Sequence, residues 1–297
     1  MSDEREAPAA PRRGRLPSTE RPSTLADVLY RRKSAERILE LVRSPEARAA
    51  KSAAMPKRVV DELGFVLHTY PWSESSLLVD ALTVHYGRVF LIAKGAKRPS
   101  SLVRGLLTPF APLRFAWSGR NEAKVLVKAD WMGTMTPPTG EALLSGFYMN
   151  ELVLRLTERE DRHEGLFELY ASTLAALSDE DKTARSARLR RFEKGLLTIL
   201  GWGPNVANVA GRGALSRTER YVVSDGALHV EGSLPPEALS PKAGRYTAEA
   251  VAALLADDFS TPAKVRSARD ILRELIQFHL GPRTMHTRRI LGELTRL

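Results

Sequence analysis

Between Val59 and Trp131, apolar and polar positions alternate in short runs separated by turn residues, the period-two signature of half-buried strands. Leu63–Thr69 makes a first strand, ended by Tyr70-Pro71. Leu77–Val84 makes a second, and Tyr86-Gly87 turns into a third at Arg88–Ala93. After a loop rich in Lys, Arg, Pro and Ser, Leu113, Phe115 and Trp117 alternate with Arg114 and Ala116. Following the turn Ser118–Asn121, Glu122–Asp130 alternates again, with Val125 and Val127 on one side and Lys124, Leu126 and Lys128 on the other. Five strands so closely spaced predict a closed barrel of the OB type, because closure removes exposed sheet edges. An SH3-like barrel is the competing closure.

At Pro137-Pro138-Thr139-Gly140 the period changes to 3.6. Glu141–Thr157 aligns Leu144, Phe147, Tyr148, Leu152 and Leu156 on one face, and Gly165–Leu177 and Arg185–Leu200 repeat the pattern. Ala248–Leu255 and Val265–Leu280 complete a predicted helical bundle. Gly201–Pro236 is Gly/Pro-rich with short β-like runs at Tyr221-Val222-Val223 and Leu228-His229-Val230, and reads as an irregular insert or hairpin. The expected class is α+β: residues 56–136 a barrel, and residues 137–297 a helical domain interrupted at 201–236. Residues 1–55 are a basic extension whose first 24 residues are too poor in apolar side chains to order themselves. Within it, residues 25–43 carry enough apolar positions for a transient amphipathic helix.

Composition sharpens this picture through the placement of charge. The chain of 297 residues carries a formal net charge of +10, of which residues 1–55 contribute +4, residues 56–135 +5 and residues 136–297 only +1. A pI near 10 with the excess in the tail and the barrel favours a polyanionic partner. There is no cysteine, which removes disulfides, thiolate zinc sites and a cysteine nucleophile. No apolar run approaches the ~18–20 residues that span a bilayer, so the expectation is a soluble, cytoplasmic protein with no membrane contact.

Catalytic signatures are weak. The six histidines are scattered without metal-ligand spacing, Gly201-Trp202-Gly203-Pro204 and Gly211-Arg212-Gly213 lack the features of phosphate loops, and no G-x-S-x-G elbow occurs. The expectation is a protein that is not an enzyme and needs no cofactor. A single-strand site needs a cationic groove and exposed aromatic platforms. Lys94, Lys97, Arg98 and Arg104, with Arg88 on the neighbouring strand, supply charge. Tyr70, Trp72, Phe90 and Phe110 are candidate platforms, with Tyr70 and Trp72 favoured because they sit in a Pro-containing turn rather than on a strand face.

Several of these segments resemble one family in the same order. Gly64–His68, Trp72–Leu77, Tyr86-Gly87-Arg88, Val89–Arg98 and Gly105–Phe110 are similar to the N-terminal domain of the bacterial recombination mediators of the RecO family. Tyr148–Leu152, Leu189–Glu193, Leu200–Gly203, Leu280-Gly281-Pro282 and Arg288-Arg289 extend the likeness over roughly residues 58–297, leaving residues 1–54 without a counterpart. The resemblance implies an OB-fold followed by a helical domain. It also implies binding of single- and double-stranded DNA, annealing, and cooperation with RecR in loading RecA onto DNA coated by single-strand-binding protein. Some members carry a four-cysteine zinc module after the third helix; the cysteine-free segment around Asn205–Asn208 cannot hold one. The acidic, apolar tail of single-strand-binding protein is expected on the helix Arg185–Leu200, at Arg190, Lys194 and Leu197 with Arg191 beside them. An OB-fold factor acting on RNA or in ribosome assembly is the alternative, because a basic barrel alone does not choose its polymer.

Overall fold

In the computed structural model, residues 38–40, 56–133, 137–177, 182–206, 215–239, 243–287 and 290 are described. Five strands, β1 (Arg58–Pro71), β2 (Leu77–Thr83), β3 (Gly87–Ala93), β4 (Pro112–Ser118) and β5 (Ala123–Trp131), close into a barrel in the order β1-β2-β3-β5-β4. Every pairing is antiparallel except β3 with β5, which run parallel through Phe90–Ala123, Leu91–Lys124 and Ile92–Val125. This is the OB topology, and it rules out the SH3-like alternative. The barrel interior holds Val66, Val79, Val89, Leu91, Leu113, Phe115 and Trp117, all fully buried.

The helical part comprises α1 (Gly140–Leu156), α2 (Leu166–Ala176), α3 (Lys182–Ile199), α4 (Ala248–Leu255) and α5 (Pro262–Leu280). A three-stranded sheet joins α3 to α4, in the order β7-β6-β8, from β6 (Arg220–Ser224), β7 (Ala227–Val230) and β8 (Tyr246–Thr247). The β6–β7 hairpin turns on Asp225-Gly226, both at positive φ, which suits a two-residue connection following the twist of its strands. Of the insert read as irregular or as a hairpin, the C-terminal half is an ordered hairpin; residues 207–214 lie outside the described residues.

A second apolar core, separate from the barrel interior, lies between the outer face of the barrel and the helices. Strand β1 is longer than its alternation predicts and is buried on both faces from Glu62 to Leu67, because one face lines the barrel while the other meets α1 and α2. Phe65 packs its ring 5.3 Å from that of Phe167 and 5.2 Å from that of Tyr170. Phe110, at a left-handed φ of 74°, rests on Phe147 at 5.0 Å and against Gly146, where an added Cβ would lie 2.9 Å from the ring. Ile38, in a helical turn with Leu39 and Glu40, is fully buried in this same core. The transient helix expected over residues 25–43 is represented at these three residues by a helical turn docked on the core; the remainder of 1–55 lies outside the described residues.

Strict alternation also fails on β5. A register shift opposite Ala116/Trp117 leaves both Val127 and Lys128 exposed and brings Ala129 inward. Lys124, expected beside Lys128, is only 1% exposed; its ammonium bonds the carbonyls of Asn121 and Glu122 and pairs with Glu160 after α1. No helix among the described residues is long and apolar enough to cross a membrane.

Candidate nucleic-acid interface

The outward face of β1-β2-β3 is read from its register. Tyr70, Leu78 and Ile92 form one row across the three strands, His68, Asp80 and Phe90 the next, and Phe65, Leu82 and Arg88 a third. Helices cover the third row through Phe65 and Leu82. The first row opens onto the β1–β2 loop, so the accessible part of this face lies at the loop end.

There, Trp72, Ser73, Ser75 and Ser76 of the β1–β2 loop face Ile92, Lys94, Gly95 and Arg98 across an open groove of about 420 Å³. Trp72 is 58% exposed, and Lys94 and Arg98 are exposed with no ion pair among the described residues. Lys97 plays a different part from the expected one. Its backbone N–H donates to the Ser75 carbonyl at 2.8 Å and its ammonium to the Ser73 carbonyl at 2.7 Å, so it clamps the two loops that form the groove. Gly95 permits the tight turn through a φ of 70°. Arg104 is exposed farther along the same loop, which also carries Leu102 at 92% exposure. An aromatic plane flanked by two unpaired cations is what a single strand's bases and phosphates require.

Other expected contacts are placed elsewhere. Arg88 is buried: its guanidinium pairs with Asp80 at 2.8 Å and donates to the Thr157 carbonyl at 2.7 Å, joining β3 to the end of α1. It is a structural cation and offers no phosphate contact. Phe110 is 2% exposed and cannot stack a base. Phe90 is covered by the Arg159 guanidinium, 3.7 Å from its ring centroid. Tyr70 remains 39% exposed, edge-on to His68 and Phe90; burial and then the nearby Asp80 carboxylate raise its hydroxyl above the ordinary tyrosine value.

The helix face expected to take an acidic tail is also rearranged. Arg190 is buried and pairs with Glu193 at 2.9 Å, whose carboxylate accepts from Tyr148 Oη at 2.6 Å. Leu197 is fully buried. Helical spacing put these two on the side next to the core stripe, and α1 and the other helices cover that side as well. Lys194 reaches the Leu255 carbonyl at 2.8 Å and Asp257 at 2.9 Å, and exposed Arg191 lies 5.3 Å from the Phe259 ring. Arg191, Lys194 and partly exposed Leu255 therefore share the outer side of the α3–α4 contact.

Sequence reasoning missed Arg159 and the three serines of the β1–β2 loop. The serines had a signal, since the first interstrand loop of an OB barrel borders its ligand face. Arg159 had none, being 69 residues distant in sequence from the ring it covers.

Residues 58–135 match the family model "Recombination protein O N terminal" and residues 137–289 match "Recombination protein O C terminal". A DNA repair protein RecO of Thiobacillus denitrificans is 41% identical over 260 residues, covering 84% of this chain and 98% of the relative. Proteins of the same name from Ralstonia nicotianae and Azoarcus sp. are each 38% identical, over 83% and 82% of this chain and 89% and 100% of their own lengths. Two family matches spanning the barrel and the helices, with relatives aligned across nearly their whole length, place this chain in the RecO family of DNA repair proteins.

Proposed function

We propose that this protein is a recombination mediator that binds single-stranded DNA through the groove between Trp72 and Lys94/Arg98, and duplex DNA through the wider basic rim that includes Arg104. The observation carrying this reading is the pairing of an exposed tryptophan with two unpaired cations on the open end of an OB ligand face. In this reading the protein anneals complementary strands and, with RecR, helps load RecA onto DNA coated by single-strand-binding protein. The acidic tail of that coat protein docks on Arg191, Lys194 and Leu255, with the Arg191 guanidinium taking a carboxylate.

Equilibrium binding to single-stranded DNA, duplex DNA and matched RNA over a range of salt concentrations tests the assignment. Single-stranded DNA is expected to bind with a negative log–log salt slope that falls by about 0.7 for each phosphate contact removed. A clear preference for RNA would instead favour an RNA-binding or ribosome-assembly role for the same barrel.

A further inference from the structure

The second row of the ligand face is exposed at His68, buried at Asp80 and half-buried at Phe90. One side chain from outside the barrel occupies it. Arg159 follows α1, and its guanidinium lies flat enough over Phe90 to bring its central carbon 3.7 Å from the ring centroid. One terminal nitrogen pairs with Glu122 on the β4–β5 loop and the other lies 3.4 Å from Asp80. In an OB barrel this is the middle of the surface that oligonucleotides cross, bordered by the β1–β2 and β4–β5 loops. Phe90 is the ring next inward from Tyr70, which is 6.5 Å away edge-on.

Resting on the proposed single-strand reading, we infer that Arg159 is a reversible latch over the Phe90 stacking position, which a bound strand displaces to extend inward from Trp72.

Three features make the side chain displaceable while its backbone stays in place. The Glu160 N–H donates to the Arg88 carbonyl at 2.7 Å and residues 88 and 159 form a parallel bridge, so the main chain is anchored independently of the guanidinium. Asp80 keeps its shorter bond to Arg88 at 2.8 Å when Arg159 leaves. Glu122 has a side chain 69% exposed, so water replaces its partner at little cost. A guanidinium over a half-buried phenyl ring is comparable in strength to a base stacked on the same ring, so the two compete. Asp80, Glu122, Glu158 and Glu160 line the same cleft; their carboxylates repel phosphates whether the latch is closed or open, so a displacing strand presents a base to Phe90 and keeps its backbone on the Trp72 side.

The test is binding of oligothymidylates of increasing length to the full chain, its Arg159→Ala and Glu122→Gln variants, and each variant combined with Phe90→Leu, with melting curves for every protein. Removing a cation weakens DNA binding by simple electrostatics, so the latch makes the opposite, diagnostic forecast. Arg159→Ala binds about three- to tenfold more tightly, with the shortest saturating oligonucleotide longer by about one nucleotide, and Phe90→Leu cancels the gain. Glu122→Gln, which keeps Arg159 but loosens it, gives a smaller gain that Phe90→Leu also cancels; if Arg159→Ala fails to fold, this variant alone decides. Unchanged or weaker binding in the folded variants, with wild-type binding through Trp72 intact, overturns the latch and leaves the DNA reading standing. Wild-type protein that does not bind single-stranded DNA overturns that reading, and the latch falls with it.

Discussion

Asn150 of α1 donates its side-chain amide to the Leu67 carbonyl at 2.8 Å. Leu67 is the residue skipped where the β1–β2 register shifts between Val66 and His68, so its carbonyl has no ladder partner and a side chain from the helical part supplies one. Tyr170 of α2 completes the bridge by donating to Asn150 Oδ1 at 2.6 Å. A bulge in the barrel is thereby tied to two helices through one buried amide.

Asn150→Ala is expected to destabilise the protein by about 1–3 kcal/mol, because it strands a buried carbonyl and the Tyr170 hydroxyl. Urea denaturation measures this. Tyr170→Phe, which removes one hydroxyl and leaves the Leu67 bond, should cost less. Equal stability of Asn150→Ala and wild type would show that the bridge does not hold the two parts together.

The two arginines of the β3 region should separate cleanly. Arg98→Glu, alone or with Lys94→Glu, leaves the melting temperature near that of wild type but weakens single-strand binding and flattens its salt slope. Arg88→Ala leaves Asp80 as a buried charge without its main partner and is expected to cost about 3–5 kcal/mol of stability. Calorimetry beside DNA titrations distinguishes binding loss from folding loss.

On α3 the same logic applies to a tail peptide from single-strand-binding protein. Arg190→Ala disrupts the buried pair with Glu193 and lowers the melting temperature, whereas exposed Arg191→Ala keeps the fold and weakens the peptide. Peptide binding that survives both Arg191→Ala and Lys194→Ala in folded protein moves the site off this face.

Truncation to Met55 is expected to lower the melting temperature, since it removes Ile38 from the core between barrel and helices. Ile38→Ala in the full chain should account for about 2–5 kcal/mol. An unaltered melting curve for both proteins would mean that the burial of Ile38 contributes nothing to folding.

Stability should also respond to acid through Glu151. Burial opposes its charge, but the backbone N–H groups of His286 and Thr287, the Thr287 hydroxyl and Arg155 together hold its carboxyl below the ordinary 4.5. A depressed carboxylate stabilises the fold fully above the ordinary value, and that contribution is lost as pH falls through 4.5 towards the lower folded value. Hydrogen exchange at residues 286–287 followed from neutral pH into this range should show loss of protection, and Glu151→Gln should remove the pH dependence.

Much of the architecture was legible from local pattern. Alternation at Leu113, Phe115 and Trp117 marked β4, the change of period at Pro137–Gly140 marked the start of the helices, and Asp225-Gly226 sits where the β-like runs of the insert meet. The aromatic and cationic members of the groove, Trp72, Lys94 and Arg98, were legible too, because they fall in loops whose residues have no ladder to satisfy and no face to bury.

What the tertiary structure decided is which charged and loop aromatic side chains are covered. Arg88, Arg190 and Phe110 each occupy positions that local spacing leaves open to solvent, and each is buried because a second layer, distant in the chain, lies on that side. Period reports that a strand or helix has a face; it carries no information on whether another element packs against the opposite one. The pairings Arg88 with Asp80 and Arg159 with Phe90 follow from barrel closure and from α1 ending beside β3. Those contacts depend on geometry between separate elements, where a charge that reads as surface in the sequence becomes a buried tie or a covering latch.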